Sequence, residues 1–137
     1  MMQPSILQGN AVIAFVDTEW LSLFASKSIG TPVSEKYLIK QNDWRIRYSS
    51  GARFDFPQIA CLVRDSIHFV EGRNRSLVAH ELGIKTIPVM IPRKNLEEIL
   101  EHISDNDCFD LFDLTDVKYK FPDISIYRQC SGKLIEI

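Results

Sequence analysis

The residues best suited to chemistry stand where an apolar run meets an apolar-periodic segment, in the stretch FVEGRNRSLVAHELG at residues 69–83. The run ends at Glu71 and Gly72, and Arg73 and Arg75 follow at once. A helix that begins here offers unpaired backbone N–H groups and about half a positive charge, and a glycine before it lets the backbone approach a ligand closely. Since an arginine can hold a phosphate with two charge-assisted hydrogen bonds, the junction predicts an anion site.

The two arginines of this junction are not expected to serve the same purpose. Arg73 and Arg75 are two positions apart, so they do not share a helix face. One of them would point into the site while the other points outward. Two alternatives stay open on the residues alone: Arg75 is buried in an ion pair, or the whole junction is a turn with solvated charges.

The elements that must position the junction follow from changes of apolar period along the chain. A strand is predicted at 67–71, a helix at 74–82 that ends at Gly83, and a second strand at 86–91. The other predicted elements are a strand at 11–16, a helix from its cap Asp17 to Lys27, a strand at 58–63, an amphipathic helix at 95–103, and a hairpin of 123–128 with 133–137.

Two parts of the chain give a weaker pattern. Residues 31–56 are interpreted as a long excursion with a strand at EKYLIK or WRIRYS. Pro88 and Pro92 suggest that their strand is an edge strand or a bounded one, because proline lacks the N–H of a sheet ladder. Together the predicted elements indicate an α+β fold with a small mixed sheet. The length of 137 residues suits a single domain, which is predicted to cover residues 1–137.

Composition is that of an ordinary globular protein, with 45% hydrophobic and 25% charged residues. No apolar run reaches the length of a membrane span, and the first ten residues lack the basic start of a signal peptide. Cys61, Cys108 and Cys130 are odd in number and form no CxxC pair, which is typical of reduced thiols. A cytoplasmic location is therefore expected.

A second group of cations alternates with aromatic residues between positions 44 and 54. Its members are Arg45, Arg47 and Arg53, with Trp44, Tyr48 and Phe54 among them. Such interleaving suits nucleic-acid contact, with bases stacked on the rings. It equally suits an amphipathic strand whose rings are in the core and whose arginines are solvated.

Residues 105–116 are acidic, in contrast to the basic middle of the chain. The segment lacks the glycine and glutamate that an EF-hand needs at its sixth and twelfth positions, and the chain has no HxH, HExxH or Cys/His cluster. No metal ligand set is therefore predicted. One interpretation is a solvated acidic face, and the other is a surface that mimics nucleic acid and blocks a basic site.

The run FVEGRNRSLVAHELGIKTIPVMIP resembles the ParB/sulfiredoxin superfamily, whose pattern is a strand, an acidic residue, G-x-x-R at a helix start and a strand with IPV. The resemblance implies a ParB/sulfiredoxin-like fold in which Gly72, Arg73, Asn74 and Arg75 contact the phosphate of a nucleotide or nucleic acid. Glu71 would stand at the acidic, catalytic position. The motif is most similar to the DGRHR version found in ParB-like nuclease-domain proteins and plasmid fertility inhibition factors, which implies ATPase or DNase chemistry with Mg²⁺ and ATP or another nucleotide, in plasmid or phage biology.

Two departures from the family pattern narrow this expectation. Arg73 stands where sulfiredoxin has its nucleophilic cysteine, so sulfiredoxin chemistry is not expected. Asn74 replaces the usual histidine, and an amide does not exchange protons near neutral pH. Any hydrolysis of phosphate esters is therefore expected to be slow and metal-dependent. The alternative is a non-catalytic module that binds and blocks a protein partner through residues 105–116.

Overall fold

The computed structural model describes residues 11–50, 56–63, 66–103 and 121–137. Over these residues the chain forms a mixed α+β fold, with one six-stranded sheet and three α-helices. The strands are β1 (Ala11–Asp17), β2 (Gln58–Val63), β3 (Ser66–Glu71), β4 (Thr86–Pro92), β5 (Ile126–Cys130) and β6 (Lys133–Glu136); the helices are α1 (Thr18–Ile29), α2 (Glu35–Ser49) and α3 (Arg73–Glu81). The predicted α+β class is confirmed, while the specific ParB-like fold stays a prediction.

The sheet has the strand order β3-β2-β4-β1-β5-β6 and mixes the two directions of pairing. The pairs β1–β4, β2–β3 and β5–β6 are antiparallel, and the pairs β1–β5 and β2–β4 are parallel. Strands β1 and β4 are seven residues long and pair along their whole length. They form the centre of the sheet because both of their faces are apolar, as buried strands require.

Both faces of this central pair are covered. One face presents Val12, Ala14 and Val16 to a cluster that includes Leu21 of α1 and Ala79 of α3. The opposite face belongs to a second, smaller cluster that consists of Ile13, Phe15, Phe56, Met90 and Ile126. The helices therefore lie on one face of the sheet, and α3 is held there directly after β3.

Of the two alternatives for β4, the edge strand is wrong, because β4 lies between β1 and β2; a bounded strand fits, since β4 ends at Pro92. Its two prolines lie two residues before and two residues after Met90, so their backbone N atoms point to the same side of the strand as that of Met90. The Met90 N–H points to the β2 side and donates to Pro57 O at 2.9 Å. The nitrogens of Pro88 and Pro92, which carry no hydrogen, therefore face β2, and the long ladder between β4 and β1 loses no donor. The ladder to β2 is correspondingly short, with the single registered pair Gln58 and Met90.

Local signals set the ends of α1 and α3 as predicted. The side chain of Asp17 caps α1 by accepting from Glu19 N at 3.0 Å. Helix α3 ends in a Schellman motif: Gly83 N donates to His80 O and Ile84 N to Ala79 O, both at 3.0 Å. Gly83 has φ +81°, the conformation that this motif needs at that position.

The excursion predicted at 31–56, with its strand at EKYLIK or WRIRYS, is wrong where the structure describes it. Residues Glu35–Ser49 form the longest of the three described helices, α2, which Ser34 caps by accepting from Tyr37 N at 3.4 Å. The helix packs against α3 through a face made of residues that are mostly polar or aromatic. Its large aliphatic residues face solvent, which hides the helical period from a reading of hydrophobicity; they are Leu38, Ile39 and Ile46.

The helix predicted at 95–103 is also wrong. The segment contains two 3₁₀ turns, Arg93–Asn95 and Leu100–His102, joined by a turn. His102 N donates to Ile99 O at 2.8 Å and Ile103 N to Leu100 O at 3.1 Å, both i to i−3. The segment then stops because Ile103 forms an isolated bridge with Val16 of β1.

The remaining expectations have mixed outcomes. The C-terminal hairpin of β5 and β6 is confirmed, and so are the strands predicted at 58–63 and 67–71, which form the antiparallel pair β2–β3. The acidic segment 105–116, Arg53 and the first ten residues lie outside the described residues. Among the helices that are described, none has the length and apolar character needed to cross a membrane.

Candidate functional site

The predicted junction exists as a strand, a glycine and a helix. Strand β3 ends at Glu71, Gly72 is the N-cap residue with φ 102° and ψ 13°, and α3 begins at Arg73. As a glycine, the N-cap residue has no side chain to cap this helix. Its first i to i−4 hydrogen bond joins Ser76 N to Gly72 O at 3.0 Å, so the N–H groups of residues 73–75 precede the hydrogen-bond ladder of the helix.

Gly72 is required here for a reason that differs from the predicted one. A Cβ placed on Gly72 would lie 2.5 Å from Pro57 Cβ and 2.6 Å from Pro57 Cα. Its φ of +102° is in addition a conformation that residues with a side chain rarely adopt. The close approach that the glycine permits is therefore made by Pro57, which precedes β2, and it fixes the start of α3 against the sheet.

Arg75 is part of the packed interior. The residue is 9% exposed, and its Nη1 donates to Phe56 O at 3.2 Å. Its Nη2 lies 3.6 Å from Glu71 Oε1, and its guanidinium carbon lies 5.0 Å from the Trp44 ring centroid. Of the alternatives that the sequence left open for Arg75, the geometry favours burial over an outward-facing anion contact.

Asn74 and Ser76 fix the first turn of α3 from its buried side. Asn74 is 8% exposed, and its Oδ1 accepts from Gln41 Nε2 of α2 at 3.1 Å. Ser76 is fully buried, and its hydroxyl donates to Gly72 O at 2.8 Å. Because the amide and the hydroxyl are held inside the protein, the first turn has a fixed orientation relative to α2.

Arg73 stands at the surface end of the same turn. Its Nη1 donates to Ser28 Oγ near the end of α1 at 3.0 Å, and its Nη2 donates to Tyr37 Oη in the first turn of α2 at 3.4 Å. The guanidinium carbon lies 5.5 Å from the Tyr37 ring centroid. The three helices thus meet at Arg73, which makes it the arginine of the motif that is placed to contact a ligand from solvent.

Glu71, the predicted catalytic residue, lies at the exposed end of β3. Its side chain is 51% exposed, and its Oε1 accepts from Gln58 Nε2 at 3.2 Å. The guanidinium of Arg75 forms an ion pair with it at 3.6 Å. The carboxylate is therefore anchored by Gln58 but open to water.

The second cation group divides over the surface of α2. Arg45 forms two hydrogen bonds to Glu81 at the end of α3, from Nε at 2.5 Å and from Nη2 at 2.9 Å. This hydrogen bond lowers the pKa of Glu81 and raises that of Arg45. Arg47 is exposed, and its guanidinium carbon lies 4.8 Å from the Trp44 ring centroid. Arg45 thus ties α2 to α3, and Arg47 is the member of the pair that faces solvent.

Two aromatic residues border Arg73 and Arg75; the sequence offers Trp44 as a ring for base stacking, whereas Tyr37 was missed by sequence reasoning. Tyr37 and Trp44 belong to α2, and both are half-buried. Tyr48 of the same helix lies deeper, where burial raises its pKa even though the nearby charge of Arg75 lowers it. The signal that would have revealed their common face is the spacing of Tyr37, Gln41, Trp44 and Tyr48 at i, i+4, i+7 and i+11.

A separate cleft of about 500 Å³ lies at the other end of α3. Its wall includes His80, Lys85 and His102, and the His102 ring stacks on Trp20 at 4.2 Å. In the described ranges, no three His, Cys, Asp or Glu side chains are grouped to hold a metal ion. The cleft is formed by residues outside the predicted junction, and the two regions are separated by the length of α3.

Comparisons with known proteins give no indication of the function. No family model matches the chain, and neither does any curated protein or solved structure. The similarity to the ParB/sulfiredoxin superfamily therefore stays a prediction from the motif at residues 71–75.

Proposed function

We propose that the protein binds a phosphate group of a nucleotide or a nucleic acid at the first turn of α3. The observation that carries the proposal is the position of Arg73, whose guanidinium stands at the surface of a helix start where the N-cap residue, Gly72, has no side chain to cap the helix. A helix N-terminus and an arginine both favour an anion, and together they match the geometry of a phosphate. The motif Gly72-Arg73-Asn74-Arg75, with its resemblance to ParB-like proteins, supports the same ligand.

The residues of the motif take different roles in this proposal. Arg73 and the backbone N–H groups of residues 73–75 contact the phosphate. Arg75 and Asn74 act from inside, because their side chains hold the turn against Phe56 and Gln41. Gly72 allows the turn to lie against Pro57. The site is thus rigid before the ligand arrives, which reduces the entropy cost of binding.

Slow hydrolysis of the bound phosphate ester is the catalytic part of the proposal. Glu71 supplies one anchored carboxylate at the junction. Mg²⁺ usually reaches such sites on the phosphates of a nucleotide, with few protein ligands. Glu71 would then complete its coordination or orient a water molecule. A role in plasmid or phage biology and a cytoplasmic location are the setting that the fertility-inhibition resemblance suggests.

Calorimetric titration of the purified protein tests the binding part. The probes are ATP with Mg²⁺, ATP with EDTA, and adenosine as the ligand without phosphate. We expect binding of ATP in both forms and no binding of adenosine, because the site recognises phosphate. Equal binding of adenosine and ATP, or binding of neither ATP form, would overturn the proposal.

A further inference from the structure

The outward face of α2 is more apolar than the face that packs against the rest of the protein. Three aliphatic side chains, Leu38, Ile39 and Ile46, are 50%, 61% and 59% exposed. The buried and half-buried residues of the same helix are polar, charged or aromatic. A surface helix of a monomer has the opposite pattern, with its aliphatic side chains turned to the core. Aliphatic side chains that are grouped on an exposed surface indicate an interaction site.

The three aliphatic side chains form one stripe along α2. At about 100° per residue, Leu38, Ile39 and Ile46 project within about 100° of one another, and Asn42, which is also exposed, projects between them. The stripe extends about 12 Å along the helix axis. Asn42 is four residues from both Leu38 and Ile46, so the stripe is nearly symmetric about this residue. An antiparallel second copy of the helix therefore sets Leu38 of one copy against Ile46 of the other.

Two opposite charges stand beside the stripe. Lys36 and Asp43 are both exposed and are seven residues apart, so they project within about 20° of each other, next to Ile39. In an antiparallel pair of helices, Lys36 of each copy faces Asp43 of the other and two ion pairs form. In a parallel pair, each charge would face its own like. Because charges beside an apolar seam determine the direction of helix pairing, this pattern favours an antiparallel partner.

We propose that α2 binds α2 of a second copy of this chain, antiparallel across a two-fold axis that passes close to Asn42. Leu38, Ile39 and Ile46 of both copies are buried in the contact. The two Asn42 side chains lie near the axis, where each amide can both donate and accept a hydrogen bond. The contact covers about three turns of one helix, so it belongs to the weak interfaces that bury less than about 1,200 Å². The dimer therefore forms reversibly and dissociates on dilution.

The contact leaves the proposed phosphate site open. Tyr37, which accepts from Arg73, and Gln41, which donates to Asn74, lie on the side of α2 that packs against α3. This side is about 160° away from Ile39 around the helix. The inference does not rest on the proposed function, and either one can fail without the other.

Sedimentation equilibrium of the full chain tests the association. We expect the weight-average mass to rise from the monomer value of 15.8 kDa toward the dimer value as the concentration increases from about 10 μM to 1 mM, the range of a weak contact. Ile46→Glu and Ile39→Glu should each keep the protein monomeric, because a charge enters the apolar contact. Leu23→Glu is the matched control and should associate like the wild type, since Leu23 is exposed to a similar degree, 57%, but belongs to α1.

Charge variants test the antiparallel direction. Lys36→Asp and Asp43→Lys should each weaken self-association about 2- to 10-fold, because like charges replace both ion pairs. An equal mixture of the two variants should recover the wild-type affinity, since each copy then supplies the charge that the other needs. Carbodiimide treatment of mixed isotope-labelled and unlabelled wild-type protein should join Lys36 of one copy to Asp43 of the other, a product that mass spectrometry identifies.

The outcomes that would overturn the inference are distinct from those for phosphate binding. A wild-type protein that stays monomeric over the whole concentration range would leave the stripe to a different partner. Association that survives both Ile46→Glu and Ile39→Glu, or that Leu23→Glu weakens equally, would place the interface elsewhere. Wild-type affinity in both single charge variants would contradict the antiparallel direction. Titration of Ile46→Glu with ATP should match that of the wild type, so the two proposals are tested separately.

Discussion

The guanidinium carbon of Arg75 lies 5.0 Å from the ring centroid of Trp44, and this contact joins the motif at the start of α3 to the middle of α2. The same guanidinium reaches the sheet side of the molecule through Phe56 O. An arginine that the sequence offers as a ligand contact is thus a structural link between two helices and the segment before β2. The most conspicuous cation of a motif is not necessarily the one that meets the ligand.

The first prediction concerns the stability contributed by Arg75. We expect Arg75→Ala to lower the free energy of unfolding by roughly 1.5–3 kcal/mol, because it removes a hydrogen bond from a charged donor and leaves the buried Phe56 carbonyl without it. Urea denaturation at neutral pH measures this. Arg73→Ala serves as the matched variant and should cost less, about 1 kcal/mol, because its hydrogen bonds to Ser28 and Tyr37 lie near the surface and leave no buried carbonyl without a donor. Similar losses in both variants would contradict the division of roles between the two arginines.

The second prediction compares two glycines. We expect Gly72→Ala to lower the free energy of unfolding by roughly 2–4 kcal/mol, since a left-handed conformation costs about 1–2 kcal/mol with a side chain and the overlap with Pro57 adds to it. Gly83→Ala should cost only the conformational part, because Gly83 also has a positive φ but nothing lies within 4 Å of its added Cβ. Thermal or urea unfolding of the two variants decides the matter, and equal losses would refute the contact with Pro57.

The path from β3 to α3 was predictable from the sequence because every local signal agreed with the fold. The apolar period changes at Gly72, and the helix ends in backbone hydrogen bonds from Gly83 and Ile84 that the left-handed conformation of Gly83 permits. The α+β class and the hairpin of β5 and β6 followed from similar signals. Where the residues at each end of a helix or strand determine that end, the sequence is sufficient to predict the element.

Helix α2 was missed because its burial does not follow its hydrophobicity. Gln41 is buried and bonded to Asn74, while Ile39 and Ile46 of the same helix are more than half exposed. The inner face depends on a partner, α3, that local periodicity does not reveal. The sequence therefore supplied the cations of α2 as candidates but not the aromatic face that sets Trp44 beside Arg75.

The prediction of a helix at 95–103 was wrong for a different reason. Its buried residues Leu96, Ile99 and Ile103 have spacings of three and four, which fit both an α-helix and successive 3₁₀ turns over so short a stretch. The bridge between Ile103 and Val16 is a long-range contact that ends the segment. Such a contact has no local signature in the sequence.

The third prediction concerns pH and the pair of Arg45 with Glu81. The hydrogen bond from Arg45 lowers the pKa of Glu81 below its usual 4.5, so the pair stabilises the folded state above the unfolded pKa and this contribution is lost as pH falls through the folded pKa. Because both side chains are well exposed, we expect Arg45→Met to cost at most about 1 kcal/mol at neutral pH. Urea denaturation from neutral pH to about pH 3 should show the difference from wild type shrinking below about pH 4.5. If the difference in the free energy of unfolding between wild type and Arg45→Met stays constant over this pH range, the variant is destabilised by lost packing and not by the lost charge.

The fourth prediction identifies the ligand-contacting arginine. We expect Arg73→Ala to weaken ATP binding by roughly 1.5–3 kcal/mol, the contribution of charge-assisted hydrogen bonds to a phosphate, while the variant stays folded. Arg73→Lys should restore only part of the affinity, since an ammonium lacks the planar fork of a guanidinium. Titration calorimetry gives the affinities. An Arg73→Ala variant that binds ATP as tightly as the wild type would move the phosphate site away from the first turn of α3.

The last prediction concerns catalysis and Glu71. The carboxylate is half-exposed and accepts from Gln58 at 3.2 Å, so Glu71→Gln preserves the shape of the side chain and removes its charge. Its distance of 3.6 Å from Arg75 and its exposure imply a loss of stability within about 1 kcal/mol. If the carboxylate orients water or completes the coordination of Mg²⁺ on the bound phosphates, phosphate release from ATP or nicking of labelled DNA should fall about tenfold or more in this variant.

The measurement compares the activity of wild type and Glu71→Gln with Mg²⁺ and with EDTA, at substrate concentrations that saturate binding. Glu97→Gln is a suitable control because Glu97 is an exposed carboxylate in the turn between the two 3₁₀ helices, outside the junction at residues 71–75. We expect activity only with Mg²⁺, its loss in Glu71→Gln and its retention in Glu97→Gln. A wild-type protein that binds ATP but gives no turnover with any divalent metal would leave a binding protein and no enzyme. Activity that persists in Glu71→Gln would show that the metal is held elsewhere or that the activity belongs to a contaminant, since the remaining residues of the junction, 72–75, carry no acid.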